Sequence, residues 1–181
     1  DEALVQAALG LIARLEHREE EELSHMEAAS RLAPGRPHVA FQLARTVARS
    51  GLLPPSLRRS RALECWTRAA SAEGGFVPAD EELALRLWRD KKPDQAISHL
   101  RETLARSGGP LQAVSGRRAP GSPRRERTSA GEGRVRLLMA EIALGEGWTN
   151  EAIRFAQDAE KAAPTGRAVH LFWGRFHASM R

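Results

Sequence analysis

Residues Arg134–Gly166 read RVRLLMAEIALGEGWTNEAIRFAQDAEKAAPTG. Leu137, Ala140, Ile142 and Leu144 form one apolar stripe at helical steps, and Ala152, Ala156 and Ala159 form a second. Between them stands the turn glycine Gly147, and Pro164 ends the second stripe, because proline lacks the N–H that a helix needs. Small side chains at Ala140 and Ala152 allow the two helices to approach closely. The stretch therefore predicts a helical hairpin whose outer faces must be covered by neighbours.

The same pattern extends outward. Leu4, Ala8, Leu11 and Leu15 recur at three- and four-residue steps, and the chain is rich in Ala, Leu, Glu and Arg, all good helix formers. No stretch alternates apolar and polar residues as a half-buried strand would. The periodicity predicts helices over about 2–16, 19–33, 37–50, 57–73, 79–90, 93–107, 133–146, 149–163 and 167–180. Their breaks are explicit: Pro34-Gly35-Arg36-Pro37, Gly51 through Pro54-Pro55, Gly74-Gly75 and Pro164-Thr165-Gly166. Pro93 suits the first turn of its helix.

Composition narrows the function classes. A single cysteine, Cys65, excludes an internal disulfide framework and a cysteine-built zinc site. No apolar run is long enough to span a bilayer, and Asp1-Glu2-Ala3-Leu4 lacks the basic start of a secretory signal. These features lead us to expect an intracellular protein, cytoplasmic or nuclear, without a membrane partner. The net charge of +5 is uneven, −4 over residues 1–36 and +4 over 37–76. Of 28 basic residues 25 are arginine, which a coding bias explains as readily as a nucleic-acid surface.

Residues 108–132 carry few large apolar side chains and many Gly, Ser, Pro and Arg, so a flexible loop is expected there. Ser122, before Pro123, and Thr128 and Ser129, after Arg124-Arg125-Glu126-Arg127, are candidate modification sites within it. The expected organisation is three hairpin repeats over 1–107, the loop, then a fourth repeat and the start of a fifth over 133–181.

The spacing of Met139-Ala140, Ala143, Gly147, Ala152, Ala156, Ala159 and Pro164 resembles the tetratricopeptide repeat. Leu9-Gly10, Ala13, Ala29 and Pro34 match the same template at the amino end. Leu43-Ala44, Val47 and Gly51 open a second copy continued by Ala62, Trp66 and Ala69. Leu83-Ala84, Leu87, Ala96, Leu100 and Thr103 make a third, and Trp173-Gly174 opens a fifth. Glu22 departs from the pattern, standing where a small residue belongs. The resemblance implies an all-α, right-handed α-solenoid of stacked antiparallel hairpins, about four repeats plus a terminal helix. Residues 38–46 and 168–176 are similar in style to the FAT helical region of phosphatidylinositol-3-kinase-related kinases. The chain holds no glycine-rich nucleotide loop, His-Arg-Asp or Asp-Phe-Gly signature of its own.

The resemblance further implies a non-catalytic scaffold for protein–protein interaction, without cofactor or metal. Its ligand positions fall on Leu11, Arg45, Leu85, Glu141 and Arg175, with Arg49, Trp88, Arg89 and Arg134 nearby. Arginine there suits a carboxylate or phosphate on a partner peptide or helix. A basic RNA-binding solenoid is a further reading. The last helix, with Val169, Leu171, Phe172, Trp173, Phe176 and Met180, is apolar around much of its girth. That suggests a fragment of a longer array, or docking of residues 167–181 on a partner or a second copy. The bland readings of other residues are these: Glu19-Glu20-Glu21-Glu22 and Asp80-Glu81-Glu82 as helix starts, the former solvated, His170 and His177 as packing groups, Cys65 as a buried apolar group, and Trp66, Trp88, Trp148 and Trp173 as core.

Overall fold

The computed structural model describes residues 1–72, 75–108, 123–163 and 166–179, with side chains left aside at 107, 108, 123–130 and 179. Nine α-helices make up these residues: α1 Glu2–Leu15, α2 Glu19–Leu32, α3 Pro37–Arg49, α4 Pro55–Ala70, α5 Val77–Arg89, α6 Pro93–Gly108, α7 Pro123–Gly145, α8 Thr149–Ala162 and α9 Arg167–Ser179. Proline opens α3, α4, α6 and α7, where the absent N–H leaves no intrahelical bond unmade. Most of the expected loop at 108–132 lies outside the described residues. Helix α7, however, begins at Pro123, inside that stretch.

Three of the tight turns close alike. His17, Lys91 and Gly147 take positive φ, at 58°, 62° and 77°. Each next amide bonds back five residues: Arg18 to the Ala13 carbonyl at 2.8 Å, Lys92 to Leu87 at 3.0 Å and Trp148 to Ala143 at 2.8 Å. This is the Schellman closure, which satisfies carbonyls that the helix end would leave bare. The α3–α4 connection instead runs through Ser50–Pro54 without such a residue.

Contacts divide the chain into two compact units, residues 1–83 and 84–181. In the first, α1 packs on α2, α2 on α3 and α3 on α4. Met26, Leu43, Ala44, Val47, Ala62 and Cys65 form its main cluster, flanked by Leu23, Leu53 and Trp66. Complete burial of Met26 alone contributes about 1.5–3 kcal/mol. Ala40, Ala69, Ala70 and Ala79 form a second, small-residue cluster beside Phe41, Phe76 and Leu83. In the second unit, α6 packs on α7, α7 on α8, and α9 on both α7 and α8. Small residues set the separations. A Cβ at Gly10 would lie 3.0 Å from Met26 Cε, and one at Gly133 only 2.9 Å from Ala163 Cβ.

Candidate functional site

The positions expected to face a ligand lie on the first helix of each hairpin, one residue after its small seam residue. Arg45 on α3 is exposed, with its guanidinium 5.9 Å from the centre of the Phe41 ring one turn back. Phe41 in turn meets Phe76 edge-on at 5.4 Å. The Arg45 cation thus rides on a fixed aromatic shelf, and it makes no ion pair among the described residues. Leu11 is exposed on α1, and Leu85 half-buried on α5.

Arg49 is committed elsewhere. Its Nη2 donates to Glu22 Oε1 at 2.9 Å, and the Thr46 hydroxyl donates to the same oxygen at 2.8 Å. Glu22 is therefore not solvated, as its acidic run suggested, but 7 % exposed and held in the α2–α3 joint. The helical period turns it inward, whereas Glu20 and Glu21 remain in water. Glu19, at the start of the same run, accepts from the Gly51 amide, with the Ser50 hydroxyl and the Leu52 amide close by. The Ser50 hydroxyl first, and then the Gly51 and Leu52 amides, hold its carboxyl below the usual range.

In the second unit, Arg175 of α9 donates to Glu141 of α7, so two expected ligand positions occupy one another. Trp88 is half-buried, and its Nε1 donates to Glu146 at 2.7 Å. Its ring lies where a Cβ on Gly145 would stand, 2.5 Å away. That indole is a packing element of the α5–α7 contact. Arg89 and Arg134 are exposed, and Arg89 has no ion-pair partner among the described residues. Ser122 lies outside the described residues, as do the side chains of Thr128 and Ser129.

One feature had no sequence signal. Helices α2, α3 and α4 enclose a recess of about 220 Å³ lined by Ser30, Arg31, Arg61, Cys65 and Arg68 among others. Arg68 Nη2 donates to Ser30 Oγ at 3.0 Å and lies 3.7 Å from Cys65 Sγ. Burial pushes the Cys65 thiol up in pKa, against the opposing pull of Arg68. His177 stacks on Trp173 with ring centres 6.1 Å apart, while His170 is exposed. Among the described residues no group of three or more His, Cys, Asp or Glu is placed to hold a metal. No described helix is long and apolar enough to cross a membrane.

Solved structures share this arrangement. PilF of Pseudomonas aeruginosa superposes at TM-score 0.65 with 13 % identity, covering 99 % of this chain and 69 % of its own. A MamA RS-1 double mutant superposes at 0.61 with 16 % identity, covering 99 % and 85 %. The fold is a tetratricopeptide-like α-solenoid. TTC0263, a thermophilic TPR protein of Thermus thermophilus, aligns at 0.48 with 17 % identity over 98 % of each chain. No protein-family model and no curated protein matches this TPR-like chain. Its repeat register places Glu141 and Arg175 34 residues apart, one repeat length, which is why adjacent first helices bring them together.

Proposed function

We propose that the chain is a non-catalytic scaffold that holds an acidic peptide or helix of a partner protein on the first-helix faces of its TPR-like hairpins. The observation that carries this reading is Arg45. An exposed guanidinium on an aromatic shelf, without a carboxylate of its own, is ready to accept one from outside. Arg89 offers a second exposed cation, without an ion-pair partner among the described residues, in the other unit. Arg134 adds exposed positive charge there, whereas Arg49, Trp88, Glu141 and Arg175 support these faces through bonds already made within the chain.

Phage-displayed peptides selected on the full chain test this, with affinities then measured by calorimetry. Arg45→Glu is expected to weaken an acidic peptide by at least ~10-fold, since it swaps attraction for repulsion, with Arg45→Lys intermediate. If every selected peptide bound both Arg45→Glu and Arg89→Glu as tightly as wild type, the reading would fail. RNA binding that falls steeply with added salt would favour the nucleic-acid reading instead.

A further inference from the structure

Helix α4 leaves open a place that helix α8 fills with an aromatic ring. Ala62 and Ala69 of α4 stand in register with Ala152 and Ala159 of α8, and all four are no more than 2 % exposed. Between them Cys65 takes the place of Phe155, at the same 7 % exposure. The Phe155 ring lies under two guanidiniums, Arg154 of α8 at 5.4 Å from its centre and Arg101 of α6 at 5.8 Å. The Cys65 thiol is far smaller than a phenyl group, and the recess of about 220 Å³ between α2, α3 and α4 opens beside it. Guanidiniums line that recess too, from Arg61 and Arg68 of α4 and Arg31 of α2.

Its polar groups are unequally committed. Arg61 donates to Glu27 at 2.6 Å, and Arg31 reaches the same carboxylate at 4.0 Å. Arg68 meets no carboxylate among the described residues, and its Nη2 donates to Ser30 Oγ at 3.0 Å. Ser30 is 7 % exposed, and no described acceptor takes its own hydroxyl proton. A buried donor of that kind calls for an acceptor, and the adjacent guanidinium favours a charged one. Leu43 and Cys65 add apolar surface. Glu27 and Glu64, also lining the recess, disfavour a second negative charge on whatever enters.

We propose that the recess binds a small aromatic monocarboxylate, its ring on Cys65 in the manner of the Phe155 phenyl and its carboxylate on Ser30 and Arg68. A cavity of about 150 Å³ already admits benzene, so the volume here suits one ring with its carboxylate.

Phenylacetate is titrated into the full, nitrogen-15-labelled chain and followed by amide NMR shifts. Saturable binding is expected, with the shifts gathered around Ser30, Cys65 and Arg68. Phenylacetamide, of the same shape without the charge, should bind at least ~10-fold more weakly. Arg68→Gln should weaken phenylacetate by a similar factor, and Cys65→Phe, which puts the chain's own ring in the recess, should abolish binding. Arg45→Glu, on a first-helix face, should leave it unchanged. Circular dichroism checks that each variant folds, and Arg68→Gln decides if Cys65→Phe does not. Absence of saturable binding, shifts gathered elsewhere, or equal binding of the amide or by Arg68→Gln overturns the proposal. So does a peptide ending in phenylalanine that binds ~10-fold more tightly than phenylacetate, because a protein terminus would then be the occupant.

Discussion

The Thr46 hydroxyl donates to Glu22 Oε1 at 2.8 Å inside the α2–α3 joint. With Arg49 on the same oxygen, this pairing lets a carboxylate occupy a buried position that Ala152 fills in the fourth repeat. Thr46→Val is expected to cost about 1–3 kcal/mol, because it leaves the buried carboxylate short of a donor. The Glu22→Ala/Thr46→Val pair should cost less than the sum of its single changes. Urea unfolding of the four proteins measures that coupling. Additivity within about 0.5 kcal/mol would show that the hydrogen bond does not act as a unit.

The three Schellman turns are chemically unequal. Glycine adopts positive φ freely, whereas His17 and Lys91 carry a Cβ that crowds the carbonyl. His17→Gly and Lys91→Gly should each stabilise the fold by about 0.5–1 kcal/mol after the entropic cost of glycine. That corresponds to roughly 1–4 °C in Tm. Gly147→Ala should destabilise by about 1–2 kcal/mol. Thermal melts decide, and a fall in Tm for both glycine variants would contradict the strain assigned to these turns.

Two seam glycines should respond differently to alanine. At Gly133 the new methyl meets Ala163 Cβ, which has no side-chain freedom with which to retreat. At Gly10 it meets the end of Met26, a flexible thioether. Gly133→Ala is therefore expected to cost about 1–3 kcal/mol, and Gly10→Ala clearly less, the helix propensity gained offsetting part of each clash. Chemical denaturation ranks them, and the reverse order would refute the contact geometry.

Acid should loosen the α2 tie to the α3–α4 connection. The Ser50 hydroxyl and the Gly51 and Leu52 amides that face Glu19 depress its pKa in the folded chain, so the unfolded chain binds its proton at higher pH. The stability that Glu19 supplies is complete above the ordinary carboxylate range and is lost as pH falls through the depressed folded value. Glu19→Gln should flatten that acid limb while leaving other carboxylates titrating. Identical pH–stability slopes for the two proteins would remove the linkage.

Much of this was legible in the chain. Eight of the nine helices lie within two residues of the periodicity's expectation at most ends, because Pro37, Pro55 and Pro93 and the turn residues fix the starts and stops locally. Helix α7 starts earlier than expected, since Arg-Arg-Glu-Arg is helix-forming however loop-like its neighbours. The site was read less well. Arg175 sits where the repeat register places a ligand position, and Arg49 and Trp88 sit near such positions, yet these three are bonded to residues 34, 27 and 58 positions away. Such partners depend on how helices meet, which spacing along one helix does not encode. Glu22 shows the same thing inverted, an evident misfit whose resolution lay on the next helix.

If the first-helix faces hold an acidic partner as proposed, the Glu141–Arg175 bridge makes its position more selective than that of Arg45. An incoming anion must compete with a carboxylate tethered beside its target, a rival that never diffuses away. Both side chains lie open to water, where such bridges contribute about 0.2–1 kcal/mol, so the handicap is roughly fivefold at most. On the proposed scaffold reading, weakly charged visitors would be turned aside there, while strongly charged ones would displace the tether and release Glu141 to find a cation of the visitor's own.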